Sequence, residues 1–309
     1  MPEMRTHSLR GTRAGARRMG ALIYYTGLRA LRLPAARRRW CDANVVLCYH
    51  NVVAGDRPVS GDPGLHMPRD RFARQVEWLA RHYRIVSLRE FVAPQSARAS
   101  RPLAAITFDD AYAGVFEHAV PVLDRLGIPA TVFVVAEAPG RATGFWWDEP
   151  DVVASITPAR RDRWLSQLRG DGPAILSEVQ AAASPLPSDY QPADWATIRS
   201  HVGITDLGVH SATHRFLPAL TDDELERELV ASRARIYDQT GQWPEFFAYP
   251  YGACDRRVRA AVRAALYRAA FSLDTGISGE PGDRWALERV NIPSGLSDSA
   301  FEAWTAGLH

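Results

Sequence analysis

The strongest constraint on this chain is an alternation sustained over some 250 residues, in which short apolar runs are separated by segments of helical periodicity. Asn44–His50 reads as a first buried strand. Ile85-Val86, Leu103–Phe108, Ala130–Val135, Leu207–Val209, Phe246–Ala248, Ala269–Ser272 and Val290–Ile292 read as further strands. Between them, Pro68–Tyr83 carries Phe72, Val76 and Leu79 at helical spacing. Val115–Leu126 stops at Gly127, and Leu225–Thr240 is capped by Thr221-Asp222-Asp223-Glu224 and ended by Gly241. Pro192–His201 and Arg256–Tyr267 complete the set, and Ser87-Leu88-Arg89-Glu90 has the form of a capping box. Strands separated by helices run parallel. The expected fold is therefore α/β, a distorted or incomplete (β/α) barrel of about seven parallel strands.

One segment breaks the rhythm. Residues 137–191 hold Phe145-Trp146-Trp147-Asp148, a charged helix near 158–169 and a Pro/Ser-rich stretch at 184–192. They read as a helical insertion that walls a cleft. The expected organisation is a basic arm at 1–40 followed by a catalytic domain at 41–309. The arm holds ten arginines against one acid over residues 1–39, whereas the remaining 27 arginines face 34 acids. Within it, an amphipathic helix at about 19–33 is expected to lie on a membrane or on the body. Peripheral contact with an anionic membrane is the partner this charge suggests. Its apolar stretch is too short to span a bilayer and fits a secretory signal poorly. Three cysteines give no disulfide framework and fit a reducing compartment. The cytoplasm, or the inner face of the membrane, is the expected location, with export left open.

The chemistry lies at strand ends. Thr107-Phe108-Asp109-Asp110 puts two carboxylates where a strand stops. His210-Ser211-Ala212-Thr213-His214, after Leu207-Gly208-Val209, supplies two imidazoles, and Tyr249-Pro250-Tyr251-Gly252 forms a tight turn. Carboxy-terminal strand ends are where α/β folds place reacting groups. Asp-Asp alone is commonly a cap, and His-x3-His alone is commonly two ordinary histidines. Together they describe an open catalytic metal site rather than a closed structural one. A cation on Asp110, His210 and His214 would polarise a water and a substrate carbonyl. Asp109 could then take a proton, and the Tyr251 backbone N–H could face the oxyanion.

These three motifs, with Phe247-Ala248 before the third, resemble those of the polysaccharide deacetylases, the NodB-homology or carbohydrate esterase family 4, over roughly residues 44–295. The resemblance implies a distorted (β/α) barrel, Asp109 as base, and a divalent metal on Asp110, His210 and His214. Zinc is the first choice, with cobalt, nickel or manganese as alternatives. It also implies removal of N-acetyl groups from N-acetylhexosamine polymers, or of O-acetyl groups from xylan. An acetylated glycan is thus the expected substrate, and no nucleic acid is expected.

Two positions depart from the family pattern. Ala248 stands where the third motif usually carries the arginine that orients the base, and Leu287-Glu288-Arg289-Val290 stands where a proton-donating histidine is usual. Tyr49-His50 resembles the element that supplies the acid in the biofilm poly-N-acetylglucosamine deacetylases, so His50 is the candidate acid. Arg289 is the candidate tether of Asp109. Trp147, Tyr249, Pro250 and Asp274 are candidate substrate contacts, Asp274 by its nearness to the fourth motif. An O-acetyl esterase, a cyclic-amide hydrolase of the same superfamily and an inactive glycan-binding homologue are the alternatives.

Overall fold

A computed structural model describes residues 19–41, 43–55, 61–94, 100–141, 143–181, 186–273 and 283–308. Ten strands are present among them: β1 (Val45–Tyr49), β2 (Asn51–Val53), β3 (His66–Pro68), β4 (Arg84–Ile85), β5 (Leu103–Phe108), β6 (Ala130–Val134), β7 (Asp206–Val209), β8 (Phe246–Ala248), β9 (Ala269–Phe271) and β10 (Val290–Asn291). Seven of them form a parallel path in the order β10-β1-β5-β6-β7-β8-β9, while β4 pairs only with the start of β5. The parallel strands and their surrounding helices make the distorted (β/α) barrel that the alternation predicts. Its closure is irregular. Leu287 exchanges backbone hydrogen bonds with Ala270 and Ser272 beside β9, and Val290 then pairs with Leu47 of β1. A single bent segment thereby bridges the two edges.

Side chains alternate strictly between the two faces of this sheet, as a period of two requires. Val45, Leu47, Ala104, Ile106, Val132, Leu207 and Phe247 pack outward among helical residues such as Phe72, Val76 and Val262. Val46, Ala105, Phe133, Phe246, Ala248, Ala269 and Phe271 form a separate inner cluster. Several inner positions are small because a few large groups fill the interior. A β-carbon on Gly208, for example, would collide with the Phe133 ring.

Helix bounds lie within a few residues of those predicted, with α3 at Arg69–His82, and further helices at Trp195–Ser200 and Arg256–Ala264. The 115–125 and 222–240 helices each contain one widened turn, at Val115–Ala119 and Arg227–Ala231. The two-stranded β2–β3 pair and the helix Asp298–Thr305 were not expected; β3 is a three-residue strand at the end of a Gly/Pro-rich loop, too short to show a period. The insertion holds helices Pro150–Ser155, Pro158–Ser166 and Gly172–Val179. In the arm, residues 19–30 are helical (α1), and α2 (Leu33–Trp40) leads toward β1. No helix among the described residues is long and apolar enough to cross a membrane.

Candidate metal centre and active site

Because β1, β5, β7 and β8 are parallel, the residues that follow them meet at one end of the barrel. Asp109 and Asp110 follow β5, where Asp110 and Ala111 adopt left-handed backbone conformations (φ 72° and 54°) that turn the chain sharply away from the sheet. His210 follows β7. Its Nδ1 faces the Ala248 carbonyl at 2.9 Å, so Nδ1 carries the proton and Nε2 presents a lone pair. The loop to His214 also turns through left-handed residues, Ser211 and His214 (φ 63° and 61°). Buried Glu228 secures it by accepting from the Ala212 and Thr213 N–H groups at 2.8 and 2.9 Å, and from the Thr213 hydroxyl.

The three candidate ligands converge. His210 Nε2 and His214 Nε2 lie 3.6 and 3.4 Å from Asp110 Oδ1, all three residues being buried. Asp110 Oδ1 has no hydrogen-bond partner. Burial, then the neighbouring Asp109 and Asp148 carboxylates, pushes the Asp110 carboxyl up. Burial also pushes both imidazoles down, so they are neutral donors. Four-coordinate zinc with bonds of roughly 2.0–2.1 Å places its ligand atoms about 3.4 Å apart. The spacing, the unpartnered oxygen and the neutral imidazoles therefore fit a divalent cation.

Asp109 is held differently. Arg289 forks onto it, Nη1 to Oδ1 and Nη2 to Oδ2, both at 2.7 Å. Arg289 is fully buried, crosses the inner cluster over the Phe133 ring, and donates to Thr107 Oγ1 at 3.1 Å. Burial opposes charge on Asp109, but Arg289 and then His210 outweigh it and hold the carboxyl well below the usual range. Small Ala248 leaves the interior free for this guanidinium. Cys48 Sγ, to which sequence reasoning gave no role, donates to Asp109 Oδ2 at 3.3 Å.

His50 follows β1 and lines the cleft, its ring nitrogen, Cys48 Sγ and an Asp109 oxygen lying within 4.8 Å of one another. Burial pushes His50 down to about 4 against the pull of Asp109. Tyr251 sits at φ 59°, and its hydroxyl donates to the His214 carbonyl at 3.2 Å. Trp147 stacks parallel on Phe145 and lies 4.5 Å, centroid to centroid, from His214. The resulting cleft of about 390 Å³ is lined by His50, Asp109, Asp110, His210, His214, Trp147 and Tyr251 together with Trp146, Arg161 and Asp62.

The expectation for Tyr249 is corrected. It has the same parity as Phe247, so it faces the helical layer, fully buried, with its hydroxyl on the Trp285 carbonyl at 2.7 Å. Pro250 is likewise buried and shapes the turn rather than lining the cleft. Asp274 lies outside the described residues. A second buried network went unread in the sequence. Asp148 accepts from His66 Nε2 at 2.9 Å and from the Tyr112 hydroxyl at 2.6 Å, and Trp147 Nε1 donates to that same hydroxyl at 2.8 Å.

The parallel barrel gathers, at its carboxy-terminal rim, a carboxylate-histidine cluster that could hold a divalent cation and, beside it, an arginine-locked carboxylate. Residues 96–270 match the family model described as polysaccharide deacetylase, and the chain belongs to that family. It is 21% identical over 266 residues to the polysaccharide deacetylase-like protein YxkH of Bacillus subtilis, covering 85% of this chain and 76% of that one. The Bacillus cereus polysaccharide deacetylase BC0361 superposes with a TM-score of 0.60 at 20% identity, over 85% of this chain and 68% of that one. IcaB of Ammonifex degensii gives 0.58 at 21% identity, over 86% and 97%. A de-N-acetylase of Aggregatibacter actinomycetemcomitans gives 0.59 at 18%, over 84% and 99%. At these identities the superpositions establish the shared fold.

Proposed function

We propose that this enzyme removes N-acetyl groups from an N-acetylhexosamine-containing glycan or glycan precursor. The observation that carries the proposal is the pairing of an arginine-locked Asp109 with the Asp110/His210/His214 cluster in one cleft. The de-N-acetylase among the similar structures favours amide over ester as the bond cleaved. A divalent cation on the cluster would supply Lewis acidity toward the attacking water and the acetyl carbonyl.

The remaining work falls to the chain. Asp109 is kept ionised by Arg289 and accepts the proton of the nucleophilic water. Arg289 engages both oxygens, so the carboxylate cannot rotate away from the cluster. The Tyr251 backbone N–H, presented by its left-handed turn, faces the developing oxyanion. His50 is neutral at rest, so it acts as acid only after taking up a proton within the cycle, and Asp109 beside it is the source. The proton then passes to the departing sugar nitrogen. The aromatic wall at Trp147 offers a sugar ring an apolar face.

Acetate release across a panel of N-acetylglucosamine oligomers and acetylated xylan, with and without chelator, tests the reading. Chelator-sensitive release from the glucosamine oligomers is expected. Release from xylan alone would make the enzyme an O-acetyl esterase. Glycan binding without any release by cation-supplemented protein would make it an inactive homologue.

A further inference from the structure

Among the described residues, fourteen large apolar side chains are exposed, and seven of them fall within residues 19–40. Met19, Ile23 and Tyr24 on α1 are 58, 66 and 59% exposed, and Leu31 and Trp40 reach 73 and 70%. The other seven lie outside this segment, Tyr237 and Trp243 forming an edge-to-face pair. The same 22 residues contain five arginines and no acid.

This element is fixed to the body along one side. Trp304 Nε1 donates to the Tyr25 hydroxyl at 2.9 Å, Arg29 pairs with Glu302 at 3.2 Å, and Arg38 lies over the Trp78 ring. Its other side is left to solvent. A soluble polyanion would engage the arginines and leave the apolar groups in water. A second copy would bury the apolar groups but bring two arginine-rich, acid-free faces together. A bilayer surface rich in anionic headgroups satisfies both, with the apolar side chains at the acyl boundary and the arginines among the phosphates.

We propose that residues 19–40 dock the protein on an anionic phospholipid surface. Since α2 leads to the amino-terminal end of β1, the docking element lies away from the carboxy-terminal rim. A docked molecule thus keeps its cleft open. The proposal does not depend on the reaction assigned to that cleft.

Co-sedimentation of the full chain with vesicles tests it. Binding is expected to phosphatidylcholine vesicles containing phosphatidylglycerol, weakening with salt, and not to phosphatidylcholine alone. Replacing Arg32, Arg37 and Arg39 together by Gln is expected to lower partitioning on the order of a hundredfold, about fivefold for each charge. Replacing Leu22, Ile23 and Trp40 together by Ser is expected to lower it at least tenfold, roughly, at every salt concentration. Both variants should keep the parent melting temperature. The proposal is overturned if phosphatidylglycerol vesicles do not bind the parent chain, or if the serine variant binds them normally. It is equally overturned if that variant's only effect is to convert a dimer to a monomer in sedimentation velocity.

Discussion

Asp109 and Arg289 are 180 residues apart in sequence, yet they form the most constrained contact in the site. A buried ion pair gives little net stability, but removing one partner strands the other charge in the interior. Asp109→Asn keeps the shape, removes the proton acceptor and turns an amide donor toward the guanidinium. The expected outcome is a loss of turnover of about 10²–10⁴-fold, with a stability loss of about 3–5 kcal/mol in urea unfolding. Metal content should stay near one equivalent, because Asp110, His210 and His214 are untouched. Full activity in that variant would remove Asp109 from the mechanism. For His50 the leaving group provides the contrast. His50→Ala should slow release from an N-acetyl sugar by about 10²–10⁴-fold. An activated aryl acetate, whose phenolate departs without a proton, should be cleaved at nearly the parent rate. Equal losses on both substrates would make His50 structural.

The insertion and the barrel meet through Asp148, which ties 3₁₀ residues Trp146–Asp148 to His66 on β3 and to Tyr112 after β5. Through Tyr112 the same network holds the indole of Trp147 over His214. Asp148→Ala deprives two buried donors of their acceptor, at about 1–3 kcal/mol for each. The expected outcome is a loss of about 2–6 kcal/mol in denaturant unfolding, with KM for the oligosaccharide rising more than kcat falls. An unchanged KM would separate this network from substrate binding. Elements of this kind mark the boundary of what periodicity reveals. The barrel strands were legible because each is a buried apolar run flanked by helical spacing; Asp109, Asp110 and His210 stand out as candidates because they follow such runs, and His214 because it stands four residues after His210. The contacts of Asp148, Glu228 and Cys48 were not legible, since these residues meet His66, Ala212 and Asp109 across 82, 16 and 61 residues with no local pattern to mark them. Tyr249 was misplaced for a simpler reason. A residue next to a motif turn looks available, but strand parity points it outward with Phe247.

For the molecule as a whole, the cluster is a clamp between strands that do not touch. Asp110 ends β5 and His210 ends β7, with β6 lying between them. Protein groups alone satisfy the clamp poorly: the unpartnered Asp110 oxygen sits near the carboxylates of Asp109 and Asp148, and His214 Nδ1 has no partner either. A divalent cation held by this arrangement would bind only the folded barrel, because the unfolded chain does not hold the three candidate ligands together. Linkage then requires that the cation stabilise the fold, by about 2.7 kcal/mol at a hundredfold excess over its dissociation constant. For a chain of this size that corresponds to a rise in melting temperature of about 4 °C. Thermal denaturation with zinc against chelator reads the shift directly. His214→Ala should abolish it and Asp109→Asn should keep it, which separates the ligand from the base without any measurement of activity. A parent protein whose melting temperature ignores zinc, cobalt, nickel and manganese alike would leave the cluster without its cation, and the hydrolytic reading would lose its Lewis acid.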